Sequence, residues 1–239
     1  MVRETTGSPR SVGVASKKSP DITRPSPLGD QVYEALLSQL ILLKIAPGSR
    51  ISVDSLVREM GVSQTPIRAA LIRLENEGLV VKEHNVGYSA APSPSRERID
   101  EIYEMRLLLE PFLAARAASR MTDASRAELL ALEKKMTTPA SADAKLAYGK
   151  FAVHDADFHA WIARHSGHVL AAEALARLYA HTQLYRLRFH ATVTDEAIEE
   201  HALVVKALVQ GDARAAKAAM ERHIQRSRKR MTPGFDDQD

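Results

Sequence analysis

Cysteine is absent from this chain of 239 residues. Without thiols the chain can form neither disulfides nor thiolate metal sites, which fits a reducing cytosol. Long apolar runs are missing as well. None precedes Pro27, which argues against a signal peptide, and the densest run, residues 36–43, is too short to span a bilayer. We therefore expect a cytoplasmic protein with no membrane segment.

A large excess of charge of one sign is also missing, since the net charge is only +3. Residues 1–28 carry five basic and two acidic side chains, whereas residues 29–92 carry six basic and seven acidic ones. Composition alone therefore does not indicate nucleic-acid binding, because much of that affinity comes from neutralising phosphates. A DNA-binding domain in this chain would therefore need another source of positive charge at the DNA. Its basic residues could lie on one face, the basic segment 1–28 could contact DNA, or a second copy in a dimer could add its charge.

The stretch Val53–Val81 predicts a helix, a tight turn and a second helix. Apolar residues recur at three- and four-residue spacing on both sides of Gly61, where a left-handed glycine can end the first helix. Ser63 is suited to cap the second helix, and Pro66 falls in its first turn, where a missing N–H costs nothing. The buried stripe leaves these polar residues near the start and on the outer side: Gln64, Thr65, Arg68 and Arg73. This pattern is typical of a recognition helix in the major groove of DNA, although any two-helix corner of an α-protein has it too.

The residues after Gly78 predict a two-stranded wing. Short strands at 79–82 and 87–90 are joined by a four-residue turn, and a first helix at 28–43 precedes the whole unit. Gly87 has no side chain, so the backbone of the wing can approach DNA closely there.

This region resembles the winged-helix domain of the GntR family of bacterial transcription regulators. The residues that carry the resemblance are Pro47-Gly48, Gly61-Val62-Ser63, Thr65-Pro66-Ile67-Arg68, Ala70-Leu71 and the run from Arg73 to Val80. We expect Gln64, Thr65 and Arg68 to read bases, and Ser63 and Arg73 to position the DNA backbone. Gln64 stands where the family usually has arginine, and Ala69 stands where it has glutamate. Because glutamine prefers adenine and arginine prefers guanine, the operator is expected to differ from the family's usual sequence.

One short helix reads too few bases for useful specificity, so we expect a homodimer on double-stranded DNA with an inverted repeat. Residues 1–28 lack an apolar period and are expected to be a disordered basic arm. This arm either contacts the phosphates of DNA or is a solvated tail without a role in binding.

From residue 96 onward the pattern is helical. The winged domain is predicted to cover 29–91, followed by a proline-containing linker at 92–95, a helical domain at 96–230 and a disordered tail at 231–239. Breaks at cap and turn residues divide the helical domain into six segments: 96–120, 124–137, 141–165, 168–190, 194–210 and 212–230. The predicted fold is therefore mainly α, with an N-terminal winged helix-turn-helix and a C-terminal antiparallel α-helical bundle.

Four residues in the bundle suggest a metal site. Asp155 and His159 lie four apart, on one face of a helix, although such a pair is more often a surface pair. His201 precedes Gly211 by ten residues and His223 follows it by twelve, so an antiparallel hairpin places the two histidines at similar heights. Three imidazoles and one carboxylate suit Zn²⁺, with Ni²⁺ or Mn²⁺ as other choices.

This arrangement resembles the metal-binding class of the FCD sensor domain, which occurs behind GntR-type winged helices. The resemblance rests on Arg106-x-x-x-Glu110, Asp155-x-x-Phe158-His159, Ser166-Gly167, Glu200-His201, Gly211-Asp212 and Met220-x-x-His223. It implies that the metal holds a small organic or sugar acid, with Arg106 as a second anchor. A surface salt bridge between Arg106 and Glu110 is the plainer interpretation of that pair. Arg186, in the fourth bundle helix, is a further candidate for binding the effector.

The function expected from these patterns is a metabolite-responsive transcription regulator, acting as a dimeric repressor. A metalloenzyme that uses the Asp/His cluster is the first alternative, since a metal with open positions can activate water. The sequence contains no nucleophile motif or phosphate loop that would support it. A DNA-binding protein with a purely structural metal is the second alternative.

Overall fold

The computed structural model describes residues 27–137, 144–178 and 191–231. The predicted arm before Pro27 and the tail after Met231 lie outside the described residues. The helices within them are α1 (Pro27–Ile41), α2 (Val53–Met60), α3 (Gln64–Asn76), α4 (Arg96–Ala118), α5 (Asp123–Thr137), α6 (Ala144–His165), α7 (Val169–Ala176), α8 (Ala191–Val209) and α9 (Ala213–Met231). The strands are β1 (Arg50–Ile51), β2 (Val80–Glu83) and β3 (Gly87–Ala90).

The predicted helix-turn-helix is confirmed. Helix α2 ends at Gly61, which adopts the left-handed conformation with φ of 66°. Ser63 occupies the N-cap position of α3, but its side chain makes no cap hydrogen bond. The predicted stripe of α3 faces the core, with Ile67, Leu71 and Leu74 fully buried.

The wing is an antiparallel sheet with strand order β1-β3-β2. Strand β2 starts one residue later than predicted, and Asn85 in the turn has a φ of 62°, a conformation that asparagine tolerates. Strand β1 was not predicted, because its two residues are too few to show alternation. It pairs with β3 through Arg50 opposite Ser89 and Ile51 opposite Tyr88.

Helix α4 is the central element of the bundle and packs against α6, α7, α8 and α9. Ser95 caps it, accepting a hydrogen bond from the backbone N–H of Arg98 at 3.2 Å. Pro111 lies inside this helix and removes one backbone donor from it, directly after Glu110.

Two of the predicted helix boundaries in the bundle are wrong. The segment predicted as one helix over 168–190 ends as α7 at Ala176 and continues as a turn to Leu178. Residues 179–190, including Arg186, lie outside the described residues. The segment predicted over 194–210 begins earlier, as α8 at Ala191. Threonine and aspartate are cap and turn residues, but they are also well placed in the first turn of a helix.

The winged unit touches the bundle directly, where the chain leaves α1. The side chain of Leu42 packs against Gly149 of α6, and a Cβ added to that glycine would lie 3.3 Å from a methyl carbon of Leu42. Within the described parts of the chain, every helix is too short or too polar to cross a lipid bilayer.

Candidate metal and effector site

Three buried histidines meet in the core of the bundle. His159 comes from α6, His201 from α8 and His223 from α9, and each is at most 4% exposed. One ring nitrogen from each lies within 4.8 Å of the corresponding atoms of the others. The height match predicted for the two hairpin histidines is therefore confirmed.

Asp155 lies in the same cluster. Its Oδ1 is 3.2 Å from Nε2 of His201 and 3.9 Å from Nε2 of His159. Because Asp155 is 3% exposed, the plainer interpretation of a surface pair is wrong. The four side chains predicted as donors are thus brought together from three helices.

Two glutamates orient the histidine rings. Nδ1 of His159 contacts Oε2 of Glu110, and Nδ1 of His223 is 2.9 Å from Oε2 of Glu200. A carboxylate that accepts from Nδ1–H fixes the tautomer and leaves Nε2 for a metal. The sequence placed both glutamates in motifs but gave no sign of this role, because it depends on contacts between helices.

The donor set fits a divalent metal ion. Burial lowers the pKa of His223 below its usual value, although the hydrogen bond to Glu200 acts in the opposite direction. A neutral imidazole is the form that binds a metal. The cluster therefore combines three imidazole nitrogens with one carboxylate oxygen in a buried pocket.

Arg106 is buried beside this cluster. Its Nε donates to Oε1 of Glu110 at 2.5 Å, and both side chains are 2% exposed. The salt bridge of the plainer interpretation is therefore present, but it is buried in the bundle and does not lie on the surface. Nη2 of Arg106 is buried and, within the described residues, has no hydrogen-bond partner. An arginine donor held in this way is available to a carboxylate.

Glu200 also connects the cluster to the end of α9. Nη1 and Nη2 of Arg230 donate to its two oxygens at 2.6 and 2.9 Å. Burial acts to raise the pKa of Glu200, but the hydrogen bonds from His223 and Arg230 outweigh it and the pKa is lowered. Glu200 is therefore held as a carboxylate, the form that orients His223.

A cleft of about 630 Å³ runs from His159 to the winged unit. Tyr33, Arg73 and Glu77 line it on one side, and Arg164 and Leu175 line it on the other. Its volume lies within the usual range for small-molecule sites. Among the four candidate metal donors, His159 is the one that lines this cleft, so the cleft connects one member of the cluster with the winged unit.

The residues predicted to touch DNA separate into two groups. Ser63, Gln64, Thr65 and Arg68 are exposed around the N-terminal end of α3, and Gly87 is exposed in the wing with φ of 111°. Arg73 lies at the other end of α3. Its guanidinium stacks on the Tyr33 ring at 3.5 Å, and it forms ion pairs with Glu77 at 3.3 Å and Asp30 at 3.5 Å. Its role in positioning the DNA backbone stays a prediction.

The chain matches two described protein families. Residues 28–89 match "Bacterial regulatory proteins, gntR family", and residues 101–226 match "FCD domain". The HTH-type transcriptional repressor RspR of Escherichia coli (strain K12) is 26% identical over 204 residues, which cover 83% of this chain and 86% of RspR.

Two further relatives agree with these matches. The uncharacterized HTH-type transcriptional regulator YdhC of Bacillus subtilis (strain 168) is 33% identical over 115 residues, or 48% of this chain and 50% of YdhC. That alignment spans half of each protein. The solved structure of E. coli McbR/YncC superposes with a TM-score of 0.68 at 22% identity, covering 88% of this chain and 99% of that one. At that identity the likeness shows a common fold.

The double role of Glu110 can be tested by stability. We expect Glu110→Ala to lower the free energy of unfolding by about 3–5 kcal/mol, because it leaves the buried Arg106 charge without its carboxylate. Urea denaturation of chelator-treated protein measures this effect without a contribution from metal. Glu104→Ala, at an exposed position of the same helix, should change stability by less than about 0.5 kcal/mol. Equal effects of the two substitutions would contradict the buried pairing.

Proposed function

Because the chain belongs to the gntR family of bacterial regulatory proteins and carries an FCD domain, we propose that it is a repressor controlled by a small carboxylate bound beside a metal ion. It is a DNA-binding transcription regulator and not an enzyme, so the metalloenzyme alternative is set aside. The relative RspR is a repressor, which supports that direction of control. The domain boundaries at 29–91 and 96–230 and the cytoplasmic location stay predictions.

The metal part of the proposal is supported by the donor set. Asp155, His159, His201 and His223 supply three nitrogens and one oxygen, a set that zinc accepts and that nickel or manganese also tolerates. The bound ion would bring positive charge into a buried site, where an anion can use it.

The single observation that carries the effector part is Nη2 of Arg106. This buried donor has no hydrogen-bond partner in the described residues, and it lies on the side chain whose Nε is already bound by Glu110. A carboxylate between the metal and Arg106 would satisfy it with a charge-assisted bond. Arg186, outside the described residues, stays a further candidate for the same anion. A purely structural metal would leave operator affinity independent of any carboxylate.

Control of DNA binding would pass through the contacts between the two units. The cleft beside His159 is also lined by Tyr33 and Arg73. Tyr33 of α1 packs against Arg73 of α3, so this contact joins the two helices. A ligand that tightens the bundle around His159 would therefore bias the position of α3. Coupling of this kind typically amounts to about 1–3 kcal/mol.

A homodimer on an inverted repeat completes the proposal. Met105, Leu108 and Phe112 are exposed on one side of α4, and Val169 and Leu170 are exposed at the start of α7. The Phe112 ring contacts the His168 ring at 5.4 Å, so these groups form one apolar patch. Large exposed apolar patches mark interaction sites, and a symmetry-related copy would cover this one with the same residues.

The DNA contact is tested by Arg68→Ala. We expect it to weaken binding to a selected operator by about 1–3 kcal/mol, because it removes a base-reading side chain at the start of α3. Gel-shift titration measures the loss. Arg214→Ala removes the same charge from an exposed position at the start of α9 and should bind like the parent. Unchanged affinity in Arg68→Ala would remove α3 from the role of recognition helix.

The metal is tested on protein purified without chelator. Elemental analysis should find about one divalent ion per chain in the parent and in His84→Ala, a control in the exposed wing. His201→Ala and His223→Ala should lose it. Chelator should lower the melting temperature of the parent, because bound metal stabilises the native state by about 3 kcal/mol at a hundredfold excess over Kd. Full metal content and an unchanged melt in both histidine variants would show that the site is misassigned.

The dimer surface is tested by placing a charge in the patch. We expect the parent to sediment as a dimer and Leu108→Asp to sediment mainly as a monomer, since burying an unpaired carboxylate is costly. Leu130→Asp, at an exposed position of α5, should remain dimeric. A parent that is monomeric both free and on DNA would exclude the homodimer.

A further inference from the structure

The side chain of Gln64 is held from two sides at the tip of the recognition helix. Its Nε2 donates to Oδ1 of Asp54 at 3.0 Å, across the turn between α2 and α3. Its Oε1 accepts from Nε and Nη2 of Arg68, one helical turn further on, at 3.4 and 3.3 Å. All three side chains are exposed, so the network lies on the surface that α3 would present to DNA.

The chemistry of the two neighbours fixes which way the amide points. A carboxylate only accepts hydrogen bonds and a guanidinium only donates them, so the NH₂ group must face Asp54 and the oxygen must face Arg68. Two N–H groups of Arg68 then occupy the two lone pairs of that oxygen. A glutamine that reads adenine needs this oxygen free to accept from N6 while its nitrogen donates to N7.

In this arrangement Gln64 and Arg68 together offer only donors to a base. These are the second hydrogen of Gln64 Nε2 and the N–H groups of Arg68 that do not bind Gln64. Among the bases, guanine presents two adjacent acceptors, N7 and O6, in the major groove. We infer that Asp54, Gln64 and Arg68 act as one unit that reads guanine, with Asp54 as a positioning residue that sets base preference without touching the base.

This inference rests on the proposed insertion of α3 into the major groove, and it reverses the adenine preference expected for Gln64 alone. Asp54 also contributes a negative charge near the phosphates, which weakens binding to every sequence. Its presence at this position is accounted for if it improves discrimination at a cost in affinity.

The test is selection of operators from random double-stranded DNA with the full-length protein, followed by sequencing. The base pair read by the unit is the one whose preference disappears in Arg68→Ala. At that base pair the parent should prefer guanine over adenine by roughly tenfold. Asp54→Ala should reduce this preference to about threefold or less, because the freed amide can rotate and accept from adenine. Asp54→Asn keeps an acceptor for Gln64 and should retain the preference for guanine.

Glu59→Ala is the matched control, since Glu59 is an exposed acid of the same helix that binds Gln39 and not Gln64. It should raise affinity for all sequences, as Asp54→Ala does, while the selected bases stay the same. A parent that selects adenine, or an Asp54→Ala protein with unchanged base frequencies, would overturn the inference while leaving the recognition helix in place. If Arg68→Ala alters no base preference, the helix assignment falls together with the inference.

Discussion

The carboxylate of Glu110 binds two partners at once, and the site in the bundle depends on it. One oxygen accepts from Arg106 and the other contacts Nδ1 of His159. All three groups are almost fully buried, where a charge without a partner would cost several kcal/mol. With the same carboxylate, Glu110 therefore allows Arg106 of α4 to lie in the core of the bundle and orients His159 of α6.

A second glutamate repeats this arrangement on the other side of the cluster. Glu200 orients His223 and is held by the two-pronged contact of Arg230. His159 is thus paired with Glu110 and Arg106, and His223 is paired in the same way with Glu200 and Arg230. The two arginines differ in the nitrogen that has no hydrogen-bond partner among the described residues. In Arg230 it is Nε, since Nη1 and Nη2 both bind Glu200. In Arg106 it is Nη2 at the end of the side chain, since Nε binds Glu110.

Sequence patterns predicted the parts of this structure that local signals determine. The left-handed glycine at Gly61 and the apolar stripe of α3 are local, and so is the four-residue spacing of Asp155 and His159. The meeting of His201 and His223 followed from counting residues on both sides of Gly211. The roles of Glu110 and Glu200 could not be predicted in this way, because they depend on which helices become neighbours. The amide orientation of Gln64 also escaped prediction, since Asp54 lies on a different helix and ten positions earlier in the chain.

The absence of a side chain at Gly149 determines how closely the winged unit packs against the bundle. Gly149 lets Leu42 pack directly against the backbone of α6, and a single methyl group added there would require Leu42 to give way by a few tenths of an ångström. Such a methyl group would shift the winged unit against the bundle without replacing any of the residues proposed to bind metal, carboxylate or DNA. For protein engineering, Gly149 is therefore a place to adjust the proposed coupling between the effector site and the DNA-binding domain while leaving the residues of both sites unchanged.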